Sequence, residues 1–232
     1  MPSTTHQAIT QCLAQLRAEG ATGLEQYEQK LGNNANEPEV LVDFLLEGRA
    51  ALMFLRHGFN VAMQDRPDLR IELHEEVVYV EVKHFRQKEQ DRLDEKAERE
   101  TDDLLVVTGQ LLESEGAEAW QQIVDVAVGK ADQYAADAPN VLLVESSSPS
   151  LELMLGTAVR NYNKEVLKSE DVRLRRLSGI MLVQTDWIVL REMRNVYFLP
   201  TAHPAAPLSA RMTDALFAIV TDMLRRNEGE CA

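Results

Sequence analysis

Apolar residues recur at helical spacing along the first quarter of the chain. Residues 1–32 predict two short amphipathic helices that are separated near Gly20. A stronger helix follows, for which Asn36 is the expected N-cap and Gly58 the expected C-terminal end. The apolar stripe at 42–54 predicts that one face of this helix is buried in a core.

Shorter apolar runs follow and predict strands. The predicted strands are 60–64, 69–73, 77–83, 141–145, 179–184 and 196–199. Further helices are predicted at 104–112, 120–136, 151–167 and from Ser209 to about 226, whereas 187–190 is ambiguous. A long helical crossover between the third and fourth strands allows them to lie parallel. The order of helix, three strands, helix and strand therefore predicts an α/β fold, with a mixed central sheet flanked by helices and with N- and C-terminal helical additions.

The pattern also suggests how the chain is organised. Residues 1–36 are predicted to form an N-terminal helical segment, and residues 37–232 a single α/β domain. A charge-dense excursion at 84–116 interrupts this domain. We expect its first part, 84–101, to be exposed or mobile, because so few apolar side chains cannot bury enough area to offset the entropy of ordering.

Composition is that of a globular protein, with 45% hydrophobic and 27% charged residues in a chain of 232. No apolar window is long enough for a membrane span, and the N-terminal residues lack the pattern of a signal peptide. The two cysteines, Cys12 and Cys231, exclude a disulfide-rich scaffold. We therefore expect a cytoplasmic protein that keeps its thiols reduced and does not act on a membrane.

The net charge of −14 is unfavourable for a general nucleic-acid-binding protein, whose footprint is usually basic. A local basic cluster stands out against it, and its members are Arg160, Lys164, Lys168, Arg173, Arg175 and Arg176. Taken alone, the cluster favours a solvated helix and loop. A basic face for a polyanion is the alternative, because binding depends on the local field and not on net charge.

Several common catalytic motifs are absent from the sequence. It contains no GxxxxGK[ST] phosphate loop, no GxGxxG turn and no HExxH zinc motif. The five histidines are scattered without the spacing of metal ligands. The serines at 146–148 follow a predicted strand but lack the flanking glycines of a nucleophile elbow.

One segment, residues 67–85, combines a buried strand with paired charges. The even-numbered valines of strand 77–83 point to one face, whereas Glu81 and Lys83 point to the other. If the chain turns back at 74–76, Asp68 comes within reach of Glu81 and Lys83. Two carboxylates suit Mg²⁺, and a neighbouring ammonium stabilises charge on a phosphoryl group. The pattern therefore indicates metal-assisted phosphodiester hydrolysis.

A Glu-x-Lys pair on a strand also has a simpler interpretation, as a solvated face or as a guard on an edge strand. The positions of these residues in the predicted fold favour a functional site over a solvated face. Asp68, Glu81 and Lys83 lie at the ends of predicted strands and within an apolar run, and a suitable helix precedes them.

The same segment resembles the PD-(D/E)xK nuclease superfamily, whose members have a restriction-endonuclease-like fold. Pro67-Asp68 is followed after twelve residues by Glu81-Val82-Lys83. The helix at 45–61 resembles the first core helix of that family, and Glu47 matches the glutamate that this helix contributes. The alternative for Glu47 is an exposed glutamate on the helix surface.

The resemblance continues downstream to about residue 145. The predicted helix with Lys130 and Gln133, followed by a strand, is similar to the crossover helix and fourth strand of the family. Some branches carry Gln-xxx-Tyr on that helix, but here Tyr134 follows Gln133 directly and Asp137 stands where the tyrosine would be. This departure argues against those branches.

The resemblance implies a role for each matching residue. Asp68 and Glu81 would bind Mg²⁺ or Mn²⁺, with the backbone carbonyl of Val82 as a further ligand. Lys83 would position the attacking water and stabilise the transition state, and Glu47 would support a second metal or an outer-shell water. The weaker candidates for nucleic-acid binding are Gln133, Lys130, Arg160, Lys164, Arg173, Arg175 and Arg176.

Three hypotheses follow from these observations. The first is a Mg²⁺-dependent nuclease that acts on DNA, or alternatively on RNA, and that works as a homodimer or with a partner protein. The second is a non-catalytic module of the same fold that binds protein or nucleic acid, which the acidity favours. The third is an unrelated α/β or α+β protein in which the motif is a coincidence.

Overall fold

The computed structural model describes residues 4–85, 119–146, 149–185 and 193–230. The described helices are α1 (Thr4–Ala18), α2 (Leu24–Asn33), α3 (Pro38–Arg56), α4 (Ala119–Gly129), α5 (Pro149–Lys168) and α6 (Ala210–Glu230), and a 3₁₀ helix spans Val172–Arg176. The described strands are β1 (Asn60–Met63), β2 (Leu69–Leu73), β3 (Glu76–His84), β4 (Asn140–Ser146), β5 (Leu177–Thr185) and β6 (Met193–Pro200).

The described strands form one six-stranded sheet in the order β1-β2-β3-β4-β5-β6. The first three strands are antiparallel neighbours, β4 is parallel to both β3 and β5, and β6 is antiparallel to β5. The structure confirms that the third and fourth strands, β3 and β4, lie parallel, as the long connection between them allows. The chain is therefore an α/β protein with a mixed sheet flanked by helices.

Both faces of the central strands are buried. In β4, Val141 and Leu143 belong to the hydrophobic core on one face, and Leu142 and Val144 to the core on the other. Helices α1, α2, α3 and α6 contribute to the first core, whereas α4, α5 and the 3₁₀ helix contribute to the second. Burial on both faces explains why this strand is a continuous apolar run and not an alternating one.

Strand β3 shows the predicted alternation. Val78, Val80 and Val82 are buried in the core beneath α3. Glu81 points to the opposite face, where its side chain contacts Lys130 in the turn that follows α4. The parity prediction for this strand is confirmed.

A two-residue turn joins β2 to β3. His74 and Glu75 have φ values of 50° and 68°, which are the positive values of a type I′ turn, and Leu73 pairs with Glu76. This turn sets the register at the other end of the hairpin, where Leu69 pairs with Val80.

The segment that links α1 to α2 is joined to the edge of the sheet. The Thr22 N–H donates to the Val61 carbonyl at 3.0 Å, and the Met63 N–H donates to the Thr22 carbonyl at 2.9 Å. Leu16 and Leu31 are fully buried in the core on the α3 side of the sheet. The N-terminal helices therefore share a hydrophobic core with the sheet.

The start of α3 and the end of α4 differ from the predictions. Asn36 is not the N-cap of α3, because Glu37 takes that position without a side-chain capping bond. Helix α4 ends at Gly129 and does not continue to 136. Glycine is a weak helix former, and the Asn140 side chain binds both backbone groups of Ala135, whose N–H a helix to 136 would have used internally.

Several predictions lie outside the described residues. These are the helix at 104–112, the ambiguous segment at 187–190 and all but the first two residues of the excursion at 84–116. No helix among the described residues is long and apolar enough to cross a membrane.

Two helical glycines provide a matched test of this packing. A Cβ at Gly48 would lie 2.4 Å from the Tyr27 hydroxyl and 2.6 Å from Cys12 Sγ, whereas a Cβ at Gly156 would meet nothing within 4 Å. We expect Gly156→Ala to raise the free energy of unfolding by up to about 1 kcal/mol through helix propensity. Gly48→Ala should lower it by about 1–3 kcal/mol through overpacking. Urea denaturation followed by circular dichroism measures both, and a gain in stability for Gly48→Ala would contradict the close contact between α1, α2 and α3.

Candidate functional site

Asp68 and Glu81 lie beside each other where β2 begins. Asp68 directly precedes Leu69, which pairs with Val80, and the charge of the neighbouring Glu81 acts on the Asp68 carboxylate. Asp68 Oδ2 accepts a hydrogen bond from the Val82 N–H at 2.8 Å. The N–H and C=O of a strand residue point to the same side of the strand. The Val82 carbonyl therefore lies on the same side of β3 as Asp68, which stands just before the first residue of β2.

A third carboxylate reaches this point from α3. Glu47 is 6% exposed, compared with 9% for Asp68 and 2% for Glu81. The charges of Asp68 and Glu81 both act on Glu47. The structure therefore brings together the three carboxylates that the sequence singles out.

Two oxygens of this trio are buried without a hydrogen bond. Within the described residues, neither Glu47 Oε2 nor Glu81 Oε2 has a hydrogen-bond partner. An unsatisfied buried carboxylate oxygen is costly, so each such atom requires an explanation, of which a bound ion is one. As the side chains stand, however, the described residues contain no group of three or more His, Cys, Asp or Glu residues arranged to hold one metal ion.

Glu47 and Asp68 have strongly raised pKa values. Burial, followed by the negative charge of Asp68, raises the pKa of Glu47 to about 9. Burial, followed by the charge of Glu81, raises the pKa of Asp68 to about 7, although the hydrogen bond from Val82 opposes this shift. The site therefore holds more negative charge than its own surroundings neutralise, which is typical of functional sites.

The lysine that contacts Glu81 is Lys130, not Lys83. Lys130 Nζ donates to Glu81 Oε1 at 2.6 Å and to Gln133 Oε1 at 3.0 Å. Lys83 lies on the same face of β3 as Glu81 and is half-buried, but it forms no ion pair with any residue that the structure describes. Lys130 and Gln133, predicted to lie on a helix, are turn residues: Lys130 binds the Glu81 carboxylate, and the Gln133 side-chain oxygen accepts from Lys130.

Asn140 holds the turn that carries Lys130. This fully buried side chain accepts from the Ala135 N–H and donates to the carbonyls of Ala135, Ala138 and Arg176. It thereby satisfies backbone groups that would otherwise be buried without partners. An asparagine at the start of a buried strand is a weak sequence signal for this role.

Lys30 is the second site residue that sequence reasoning missed. It lies on α2, next to the buried Leu31, and its Nζ is 4.0 Å from Glu47 Oε2 and 3.3 Å from Asp65 Oδ1. Nothing in the local spacing marks it, because its partners come from α3 and from the loop between β1 and β2.

The predicted basic cluster is divided between α5 and the 3₁₀ helix, and much of it is engaged locally. Arg173 forms ion pairs with Asp171 and Asp132, and Arg176 donates to the Tyr134 carbonyl. The exposed Arg160 and Lys164 donate to neighbours on their own helix, whereas Arg175 is exposed on the 3₁₀ helix. The contacts of Arg173 with Asp132 and of Arg176 with Tyr134 hold this part of the cluster beside the turn that carries Lys130.

None of the protein-family models, curated proteins or solved structures that were compared with this chain matches it.

The buried carboxylates predict an unusual dependence of stability on pH. Because the folded state keeps protons on Glu47 and Asp68 to higher pH than the unfolded chain does, their contribution is complete below about pH 4 and is lost as pH rises toward about 9. Without divalent metal, we expect the free energy of unfolding to fall across this range by up to about 1.4 kcal/mol per pH unit for each retained proton.

Urea denaturation at pH 5, 7 and 9 in EDTA measures this effect. Glu47→Gln should flatten the dependence, because the amide does not titrate, whereas the exposed Asp214→Asn should leave it as in the wild type. Parallel curves for the wild type and Glu47→Gln would show that Glu47 is not protonated in the folded protein.

Proposed function

We propose that this protein is a Mg²⁺-dependent phosphodiesterase with a restriction-endonuclease-like core, and that it hydrolyses the DNA backbone. The observation that carries the proposal is the proximity of Asp68 to Glu81 at the open end of the β2–β3 hairpin, where both charges also act on Glu47. The order of α3, three antiparallel strands, α4 and a parallel β4 is the arrangement that the resemblance to PD-(D/E)xK nucleases implies.

The residues present fit a magnesium ion. Mg²⁺ is usually held by one or two carboxylates together with water and substrate phosphate, so a cage of three protein side chains is not required. Glu81 Oε2 is buried without a hydrogen bond among the described residues. Asp68 and Glu81 would hold the ion, with the carbonyl of Val82 as a further ligand. When bound, Mg²⁺ polarises the phosphodiester and lowers the pKa of an attacking water.

The other residues prepare the site for this chemistry. The Val82 N–H fixes Asp68 Oδ2, and Lys130 fixes Glu81 Oε1, so the two carboxylates are held in place before substrate binds. Lys83, on the same face as Glu81, would orient the water and stabilise the negative charge that builds on the phosphoryl oxygens. The burial of these carboxylates excludes bulk water and strengthens each of these interactions.

DNA is the proposed substrate, with RNA as the alternative, and severing both strands of a duplex would call for a homodimer or a partner protein. The exposed Arg160, Lys164 and Arg175 are the residues most available to a phosphate backbone, since Arg173 and Arg176 are already engaged. The overall charge of −14 means that binding must depend on such a local field and must weaken as salt rises.

Three variants separate metal binding from catalysis. Asp68→Asn and Glu81→Gln should each weaken Mn²⁺ binding, because each replaces a hard anionic ligand by a neutral one. Lys83→Met should retain Mn²⁺ binding but should lower cleavage by about a hundredfold or more, because it removes stabilisation of the transition state. Calorimetric titration with Mn²⁺ and cleavage of single-stranded, double-stranded and branched DNA, and of RNA, measure the two properties. Asp214→Asn and Arg211→Met, both exposed on α6, are the matched controls.

The second candidate function is a non-catalytic module that binds protein or nucleic acid. The Lys130–Glu81 ion pair favours it, because an internal ammonium offsets the charge of this carboxylate without any metal. A wild-type protein that binds no divalent metal at millimolar concentration and cuts none of these substrates would establish this alternative over the nuclease. Full cleavage by Lys83→Met would leave the metal site standing but would contradict the role given to Lys83.

A further inference from the structure

The ammonium of Lys30 occupies a small cation site built by four neighbouring groups. Its Nζ lies 3.3 Å from Asp65 Oδ1, 3.4 Å from the Gln64 carbonyl and 4.0 Å from Glu47 Oε2. It also lies 5.7 Å from the centre of the Phe44 ring, within the range of a cation–π interaction. Three oxygens and a ring face thus surround a positive charge that the protein itself supplies.

The Lys30 ammonium lies beside Glu47, the carboxylate that a second metal ion would need as a ligand. Glu47 is the residue through which a second ion would be held. Of its two carboxylate oxygens, the buried Oε2 is the one that lies 4.0 Å from Lys30 Nζ. An ion bound at Oε2 would sit at about 2 Å from that oxygen. A divalent ion there would be repelled strongly by Lys30, because both charges would share a largely buried environment.

Glu81, the third carboxylate of the trio, has only one oxygen that lacks a hydrogen bond to the residues that the structure describes. Lys130 binds Glu81 Oε1, which leaves Oε2 of the same carboxylate as the oxygen without a hydrogen bond. Glu81 can therefore give one oxygen to an ion shared with Asp68, but it does not offer a separate free oxygen to each of two ions while Lys130 holds the other oxygen.

We propose that Lys30 is a built-in second cation, which restricts this site to a single divalent ion. The inference rests on the proposed function, because it concerns the same carboxylates. It assigns to an N-terminal helix the charge that two-metal phosphodiesterases obtain from their second ion. It also assigns to Glu47 the task of holding Lys30 and not that of holding a metal.

Titration with Mn²⁺ alone tests this inference without reference to activity. We expect one equivalent of Mn²⁺ for the wild type and for Lys30→Arg, which keeps the charge, and two equivalents for Lys30→Met. Lys30→Gln, which removes the charge but keeps a donor for the Gln64 carbonyl, should also bind two and serves if the methionine variant is unstable. The exposed Arg211→Met on α6 is the control and should bind one.

Electron paramagnetic resonance provides an independent readout of the same samples. Two Mn²⁺ ions about 4 Å apart, the spacing of two-metal sites, give a spin-coupled spectrum, whereas a single ion gives the six-line spectrum of an isolated centre. We expect the isolated spectrum for the wild type and the coupled spectrum for Lys30→Met.

The outcomes distinguish this inference from the function on which it rests. Two equivalents of Mn²⁺ on the wild type would overturn the role of Lys30 and leave the proposed nuclease intact. One equivalent on both neutral variants would also overturn it, since removing the charge would not have opened a second position. Absence of Mn²⁺ binding by the wild type would contradict the proposed function itself, and the inference would fall with it.

Discussion

The burial of negative charge at the start of β2 is the constraint on which the rest of this structure depends. Glu47, Asp68 and Glu81 are each less than a tenth exposed, and each acts electrostatically on another of the three. Removing carboxylates from water is expensive unless they are paired, hydrogen-bonded or protonated. All three kinds of compensation occur here. Two lysines pair with Glu47 and Glu81, the Val82 N–H donates to Asp68, and the raised pKa values of Glu47 and Asp68 favour their protonated forms.

The two compensating lysines come from parts of the chain that are distant in sequence. Lys30 is brought by α2, which is held to the sheet because the Thr22 segment pairs with β1 and because Leu31 is buried. Lys130 is brought by a turn that Asn140 holds together through four hydrogen bonds. The N-terminal helices and the end of α4 are therefore parts of the site, even though neither contributes a carboxylate.

A site of this kind is arranged for positive charge, and the proposed function follows from that arrangement. A divalent cation would satisfy the carboxylate oxygen of Glu81 that lacks a hydrogen bond, and a phosphodiester would bring its own negative charge next to Lys83. The net charge of −14 acts against a polyanionic substrate, so under the proposed function the exposed basic residues of α5 and the 3₁₀ helix would provide the local attraction. The same internal lysines are what give the non-catalytic alternative its physical basis.

Periodicity alone determined the main elements, the hairpin, the face on which Glu81 lies and the approach of Asp68 to the strand that carries Glu81, because these depend on contacts close in sequence. Helix ends were less well predicted: the Asn140 side chain, and not local propensity, decides where the turn after Gly129 runs. The partners of the carboxylates were decided only by the tertiary structure. Lys83 was the expected neighbour of Glu81 because it is two residues away, but Lys130 takes that place from 49 residues along the chain. Lys30 reaches Glu47 only because the N-terminal helices pack against α3 and β1. A sequence pattern records which charges are present and which strand face they share, whereas the pairing of buried charges depends on the free energy of the whole folded core.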